Sequence, residues 1–426
     1  MDLCVDRPGE DENWMRGGGR KLRQSPSSLG SLTLQRPRRS NRTRGNTRVV
    51  YRAVRSHTGG LSLSGDRTRS RGCTRHNIWL RDHCRCSECY HPVTKQRLLD
   101  TFDIPANIVP LRPASTPHLS VYPWSWLQEH SKVVWGSSIA KDPPTVTYEE
   151  AMTDQGLFKW LSKVDEFGFC FISGVPATPE GTEELSKRIG FIRETKYGKF
   201  WEFTADLAKG DTAYTNIALG AHTDNTYFTD PSGLQLFHLL SHTDGSGGAT
   251  LLVDGFYVAS ILKDLHPEFY LLLSTIPVPA HAAGDETAIY QPSPKSGYPV
   301  LGHDPATGEL YQVRWNNDDR SVMDHLDARV VDEWYEAIRT WNGLLKSADS
   351  EYWVQLGPGT AVVVDNHRVL HGRSSFTGRR RMCGAYIGLD EYQSKLAILK
   401  ERFDPDRVTV ETRDSSSGRS VWSPAL

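Results

Sequence analysis

His222 and Asp224 stand one residue apart in GAHTDNTYF, and His371 lies 149 residues further on in NHRVLHGRSS. On a strand, positions i and i+2 point to the same face, so an imidazole and a carboxylate converge there. A second imidazole brought to that point from elsewhere in the fold completes a set of two histidines and one carboxylate. On Fe(II) this set leaves three positions open, room for a bidentate 2-oxo acid and then dioxygen. A lone His-x-Asp tripeptide is more often a surface turn, so the reading depends on its company.

The company is a cation. A 2-oxo acid cosubstrate carries a distal carboxylate, which a guanidinium grips through two parallel hydrogen bonds. Arg379, Arg380 and Arg381 are adjacent, and strand parity must choose among them. Arg380 shares a face with Met382, Gly384 and Tyr386. If Tyr386 points into a pocket, so does Arg380, and its two neighbours point away. Thr250 enters a strand after the glycine turn in GGATLLVDG. It either donates to the same carboxylate or simply follows a β-turn.

These residues need rigid elements to bring them together. Thr147 with Glu150 reads as a capping box that opens a helix through about Val164. Residues 167–174, 234–240, 250–253, 360–366 and 381–388 read as short strands. Val330, Trp334, Trp341 and Leu345 recur at helical spacing, the buried face of a helix over 327–346. Short strands with Gly/Pro punctuation and a few flanking helices predict a mostly β sandwich or jelly roll. The last two dozen residues, with DSSSGRS, read as a disordered tail from 403 to 426.

Charge divides the chain. Residues 1–75 hold 17 Lys/Arg against 6 Asp/Glu, whereas the remainder holds 33 against 45. The leader is rich in Arg and Ser, and Asp66 is its sole acid between Trp14 and Arg81. That is the profile of a mitochondrial transit region, with a matrix location expected and a cytoplasmic one as the alternative. The first thirteen residues are acidic and fit poorly, a misfit that a start at Met15 would remove. The alternative is an uncleaved basic tail able to touch nucleic acid. No apolar run reaches the roughly 18–20 residues that span a bilayer.

Seven cysteines, an odd and sparse count, do not resemble a secreted disulfide framework. Cys84, Cys86 and Cys89 present three thiolates within one loop, and tetrahedral zinc wants a fourth ligand. His83 and His91 each lie close in sequence to a neighbouring cysteine.

From about residue 76 to 400 the chain resembles the γ-butyrobetaine dioxygenase and trimethyllysine dioxygenase family of Fe(II)/2-oxoglutarate oxygenases. The resembling stretches are NIWLRDHCRCSEC, IRETKYGKFWEF, KGDTAYTNIALGAHTDNTYF, GGATLLVDGFY and VVVDNHRVLHGRSSFTGRRRMCGAY. The resemblance implies a double-stranded β-helix oxygenase domain over 140–402 and a small N-terminal zinc-binding β domain over 76–135. It implies iron on His222, Asp224 and His371, 2-oxoglutarate on Arg380, a contribution from Asp211 to the cosubstrate, and a need for ascorbate. It places Tyr197, Trp201, Tyr214 and Tyr386 in an aromatic cage for a quaternary ammonium substrate. It makes His118, in HLSVYPWSWL, the fourth zinc ligand, although the stretch between Asp100 and His118 is shorter than in relatives. Asn225, where the butyrobetaine branch tends to carry an aromatic, tilts the reading toward hydroxylation of trimethyllysine at C3. γ-Butyrobetaine hydroxylation is the alternative, and an inactive zinc- and nucleic-acid-binding protein a more distant one. Oligomeric state stays open, a homodimer being one arrangement. Asn316 and Asn317 are candidates for the amino-acid end of the substrate.

Overall fold

The computed structural model describes residues 132–204, 215–285 and 288–404, with short stretches between 31 and 104. Two compact units divide the chain, Met1–Val121 and Tyr122–Leu426. In the first, Ser31–Thr33 pairs antiparallel with Thr74–His76, and Tyr90 bridges Arg97. Arg97 donates to both oxygens of Asp82 at 2.7 Å. Cys89 is buried here. Cys84, Cys86, His118, most of the basic leader and the tail from 405 lie outside the described residues.

The second unit runs β1 (Thr145–Thr147), α1 (Asp154–Phe167), β2 (Phe169–Ser173), α2 (Pro179–Ile189), β3 (Phe200–Thr204) and β4 (Leu219–His222). It continues through β5 (Leu234–Thr243), β6 (Thr250–Asp254), α3 (Gly255–Leu265) and α4 (Pro267–Thr275). Three short antiparallel pairs between residues 277 and 313 follow. Last come α5 (Val331–Leu345), β7 (Tyr352–Val354), β8 (Thr360–Asp365), β9 (Val369–Arg373), β10 (Arg379–Ile387) and α6 (Leu389–Phe403).

The expected helix from Thr147 to Val164 is broken in two. The capping box forms, with Thr147 Oγ1 accepting from Glu150 N at 3.1 Å and Glu150 accepting from Thr147 N at 2.9 Å. It opens only the turn Tyr148–Ala151. Thr153 then caps a second start, accepting from Gly156 N at 3.0 Å. A Cβ on Gly156 would stand 1.9 Å from the Glu150 carbonyl oxygen, so the step between the two helices requires glycine.

The strands form a six-stranded sheet, ordered β1-β2-β8-β5-β10-β3, and a four-stranded sheet, ordered β7-β6-β9-β4. Every pairing is antiparallel except β1 with β2. From β4 to β6, and again from β8 to β10, successive strands alternate between the two sheets. Strand parity sorts the apolar residues into layers. Ala361 and Val363 of β8 pack with Trp160, Leu161, Leu185 and Leu396 of the helices. Val362 and Val364 turn the other way, toward Leu252 and Val369 of the smaller sheet. Covered on both faces, β8 reads as an unbroken apolar run. The outer face of the smaller sheet, through Leu251, Val253 and Leu370, packs on Trp334, Trp341 and Leu345 of α5. No helix among the described residues is long and apolar enough to cross a membrane.

Candidate active site

His222 ends β4, and the antiparallel register sets it directly opposite His371 of β9. The two imidazole centroids are 4.5 Å apart. Asp224 lies beyond the end of the strand, so pleating alone does not aim it. Two clamps carry the alternation on. Thr223 turns inward and pairs with Trp315, Thr223 N to Trp315 O at 2.8 Å and Trp315 N to Thr223 Oγ1 at 3.0 Å. Asn366, fully buried, accepts from Asp224 N at 2.8 Å and donates to Asp224 O at 3.0 Å and Ser232 O at 2.9 Å. Asn225 then takes a φ of 60°, a left-handed conformation that Asn tolerates and bulky side chains do not.

Asp224 Oδ1 is thereby 3.3 Å from His222 Nε2 and 3.8 Å from His371 Nε2. One donor atom from each residue lies within 4.8 Å of the others, which among the described residues no other His/Cys/Asp/Glu group achieves. His222 Nδ1 is 2.8 Å from Gly220 O. A carbonyl only accepts, so Nδ1 donates to it; Nε2, which faces the Asp224 carboxylate, is the nitrogen that a cation would take in place of a proton. Burial opposes charge on the His222 ring, but the neighbouring Asp224 carboxylate outweighs it and raises the imidazole. Burial, followed by the charge of His222, pushes His371 down to about 3. Burial also opposes charge on Asp224, yet the hydrogen bond from His222 and the charges of His371 and His222 hold its carboxyl well below the usual range. A carboxylate and two imidazoles crowded in this way call for a cation between them. Two nitrogens and one oxygen suit a divalent iron better than an alkaline-earth ion.

These donors open into a cavity of about 510 Å³. Arg380 lines it and is only 4% exposed. Arg379 is exposed, and Arg381 turns out to pair with Glu202. The register slips by one residue between Arg381 and Met382. The extra residue, Leu240, belongs to β5, so the alternation of β10 survives. Arg380 Nε has no hydrogen-bond partner, and no described carboxylate pairs with this guanidinium. Gly248 makes room for it, since a Cβ there would stand 3.0 Å from Arg380 Nε. Thr250 lines the same cavity and sits opposite Arg373 in the β6/β9 ladder. A buried cation beside an unpartnered N–H and a hydroxyl fits a small dicarboxylate.

Tyr197, Trp201 and Tyr386 line another wall, with centroids of 6.5 Å for Tyr197–Tyr386 and 6.4 Å for Trp201–Tyr386. Tyr227 and Phe237 extend it: Tyr197 Oη is 3.3 Å from Tyr227 Oη, and Phe237 is 4.9 Å from the His371 ring. Sequence reasoning missed both. Parity on β5 would have found Phe237, which shares a face with Gln235, a polar residue in an apolar strand. Asn316 and Asn317 line the cavity, joined by Arg339 and Lys346. Asp211 and Tyr214 lie outside the described residues.

The sheets, the donor set and the buried arginine define an oxygenase-like site, and comparison with known proteins agrees. Residues 131–386 match the model of the taurine catabolism dioxygenase TauD, TfdA family. The chain therefore belongs to the TauD, TfdA family of dioxygenases. Residues 66–131 match the γ-butyrobetaine hydroxylase-like N-terminal family. Within this group the chain is similar to trimethyllysine dioxygenase of Neurospora crassa, 43% identical over 374 residues, 75% of this chain and 79% of that protein. The mitochondrial trimethyllysine dioxygenase of Homo sapiens is 40% identical over 346 residues, 76% of this chain and 82% of that one. The human γ-butyrobetaine dioxygenase is 29% identical over 359 residues, 77% of this chain and 91% of that one.

Proposed function

We propose that this chain hydroxylates N6,N6,N6-trimethyl-L-lysine at C3, the first step of carnitine biosynthesis, with Fe(II) and 2-oxoglutarate. The observation that carries the reading is the meeting of His222, Asp224 and His371 within 4.8 Å, at a cavity that also holds a buried arginine and an aromatic wall. The three residues would hold iron. Arg380 would take the far carboxylate of 2-oxoglutarate, with Thr250 and Asp211 assisting. When bound, iron and 2-oxoglutarate supply the activation of dioxygen that ends in C–H hydroxylation and succinate.

The chain's own work is positioning. A trimethylammonium group has no proton to donate, so ring faces hold it through cation–π attraction, worth about 2 kcal/mol or more when desolvated. Tyr197, Trp201 and Tyr386, with Tyr214, would form that cage. Lys196 Nζ already lies 5.0 Å from the Tyr197 and Tyr227 ring centroids, so these rings attract a cation within the chain itself. Fixing the cation at one end determines which carbon faces the metal site, and orientation of this kind can supply roughly 7–11 kcal/mol of a barrier. The higher identity to the trimethyllysine enzymes than to the butyrobetaine enzyme favours the lysine derivative.

The alternation of strands between the two sheets supports a double-stranded β-helix. Cys84, Cys86, Cys89 and His118, all within the residues that match the N-terminal family, would hold a structural zinc. The basic leader and the name of the human relative support a mitochondrial location. Mass spectrometry of products from trimethyllysine and γ-butyrobetaine, each with Fe(II), 2-oxoglutarate and ascorbate, tests the substrate. Trimethyllysine is expected to gain one oxygen with the higher kcat/KM. Preference for butyrobetaine would overturn the assignment.

A further inference from the structure

Tyr386 does more than offer a ring face. Its Oη lies 2.7 Å from Asp224 Oδ2, and Gln235 Nε2 donates to the same Oη at 3.2 Å. The directions are forced. An ionised carboxylate only accepts, so the phenol must donate to Asp224, and its oxygen accepts the amide N–H of Gln235. Both residues are buried, Gln235 at 2% and Tyr386 at 5% exposure. Held by two buried side chains, such a chain of hydrogen bonds is stronger than its isolated links. Parity places Gln235 and Tyr386 on the inward face of adjacent strands, and they are direct partners in the β5/β10 ladder.

The two oxygens of the carboxylate thereby differ. Oδ2 accepts from Tyr386, whereas Oδ1 lies 3.3 Å from His222 Nε2 and 3.8 Å from His371 Nε2. We infer that Tyr386 and Gln235 are positioning residues that hold Asp224 as a one-oxygen metal ligand, joining the substrate's aromatic wall to the metal site through a single side chain. A carboxylate free to turn both oxygens inward would occupy a position that cosubstrate or dioxygen needs. The inference rests on the iron reading above, and its test is separable from it.

Tyr386→Phe removes only the hydroxyl and keeps the ring face. Anaerobic titration with Fe(II) alone, without cosubstrate or substrate, is expected to show 10- to 100-fold weaker binding than wild type, the usual cost of losing an outer hydrogen bond to a metal ligand. The KM for trimethyllysine should move little, whereas succinate formed per hydroxylated product should rise. Gln235→Leu is expected to shift Fe(II) affinity in the same direction by less. If Tyr386→Phe folds and binds Fe(II) as wild type does, the inference is overturned while the iron reading stands. If Tyr386→Phe fails to fold, wild-type Fe(II) affinity in Gln235→Leu overturns it equally. If wild type itself binds no Fe(II), the underlying reading fails first.

Discussion

Arg368 and Arg380 lie on the same run of chain, both almost fully buried, and they meet opposite circumstances. Arg368 is satisfied from within. Its Nε and Nη2 reach Asp254 at 3.1 and 2.8 Å, Nη1 donates to Glu166 O at 2.9 Å, and Nη2 also reaches Val133 O. Asp254 in turn accepts from Phe256 N and Trp135 N, both at 3.0 Å. That junction ties β6 and β9 to the chain preceding α1 and has nothing left to offer a ligand. Arg380 has no described carboxylate partner, and its Nε is unpaired. Burial first, then the charge of Arg373, pushes its guanidinium down to about 10. A buried cation without an anion is costly. It is tolerable where the missing anion arrives from solution. Burial of charge alone therefore does not mark a site. Burial of charge that no described carboxylate compensates, facing a cavity, does.

The difference can be broken most forcefully at Arg368. Arg368→Met leaves Asp254 buried and unpaired and should cost about 3–5 kcal/mol of stability in urea unfolding. The KM for 2-oxoglutarate in the surviving folded fraction should be unchanged. Arg380→Met should do the reverse. Loss of a buried charge contact to a ligand is worth about 2–5 kcal/mol, so kcat/KM for 2-oxoglutarate should fall roughly 30-fold or more, with the melting temperature held or raised. A large stability loss at Arg380 would erase the distinction.

Two smaller effects sharpen it. Tyr197→Leu removes one ring face, worth about 1–2 kcal/mol of cation–π attraction. KM for trimethyllysine should rise several-fold while that for 2-oxoglutarate stays put, measured by product formation. His238, fully buried, behaves like Arg368: Nδ1 is 2.7 Å from Thr182 Oγ1, and Nε2 accepts from Gly359 N at 3.2 Å. Burial pushes its imidazole down to about 4. The unfolded chain takes up this proton below the ordinary histidine pKa of about 6.5, and the folded one only near 4. Its contribution to stability is full above that window and is lost as pH falls through it. Urea midpoints of wild type and His238→Gln across the window should show a shallower acid limb in the variant.

The sequence carried much of this site because its parts follow local rules. Pleating predicted which of three consecutive arginines turns inward, and β10 obeys because the bulge sits on β5. The donor triad was legible as residue types and spacing. What brings Asp224 to its place was not, since Asn366 and Trp315 act across loops 142 and 91 residues away in sequence. The Arg368–Asp254 pair was equally hidden, its partners 114 residues apart, one in the turn before β9 and the other at the end of β6. The break at Thr153 escaped because two adjacent N-cap signals compete, and close packing of Gly156 on Glu150 decides between them.

The central claim is that two imidazoles and one carboxylate serve as a single metal centre coupled to oxo-acid turnover. Succinate formation from 2-oxoglutarate in the presence of trimethyllysine, measured for wild type and His222→Ala after metal stripping and Fe(II) readdition, tests it most directly. The account predicts Fe(II)-dependent succinate matched to hydroxylated product in wild type, and none above background in His222→Ala. Coupled succinate that persists without the His222 imidazole would contradict it.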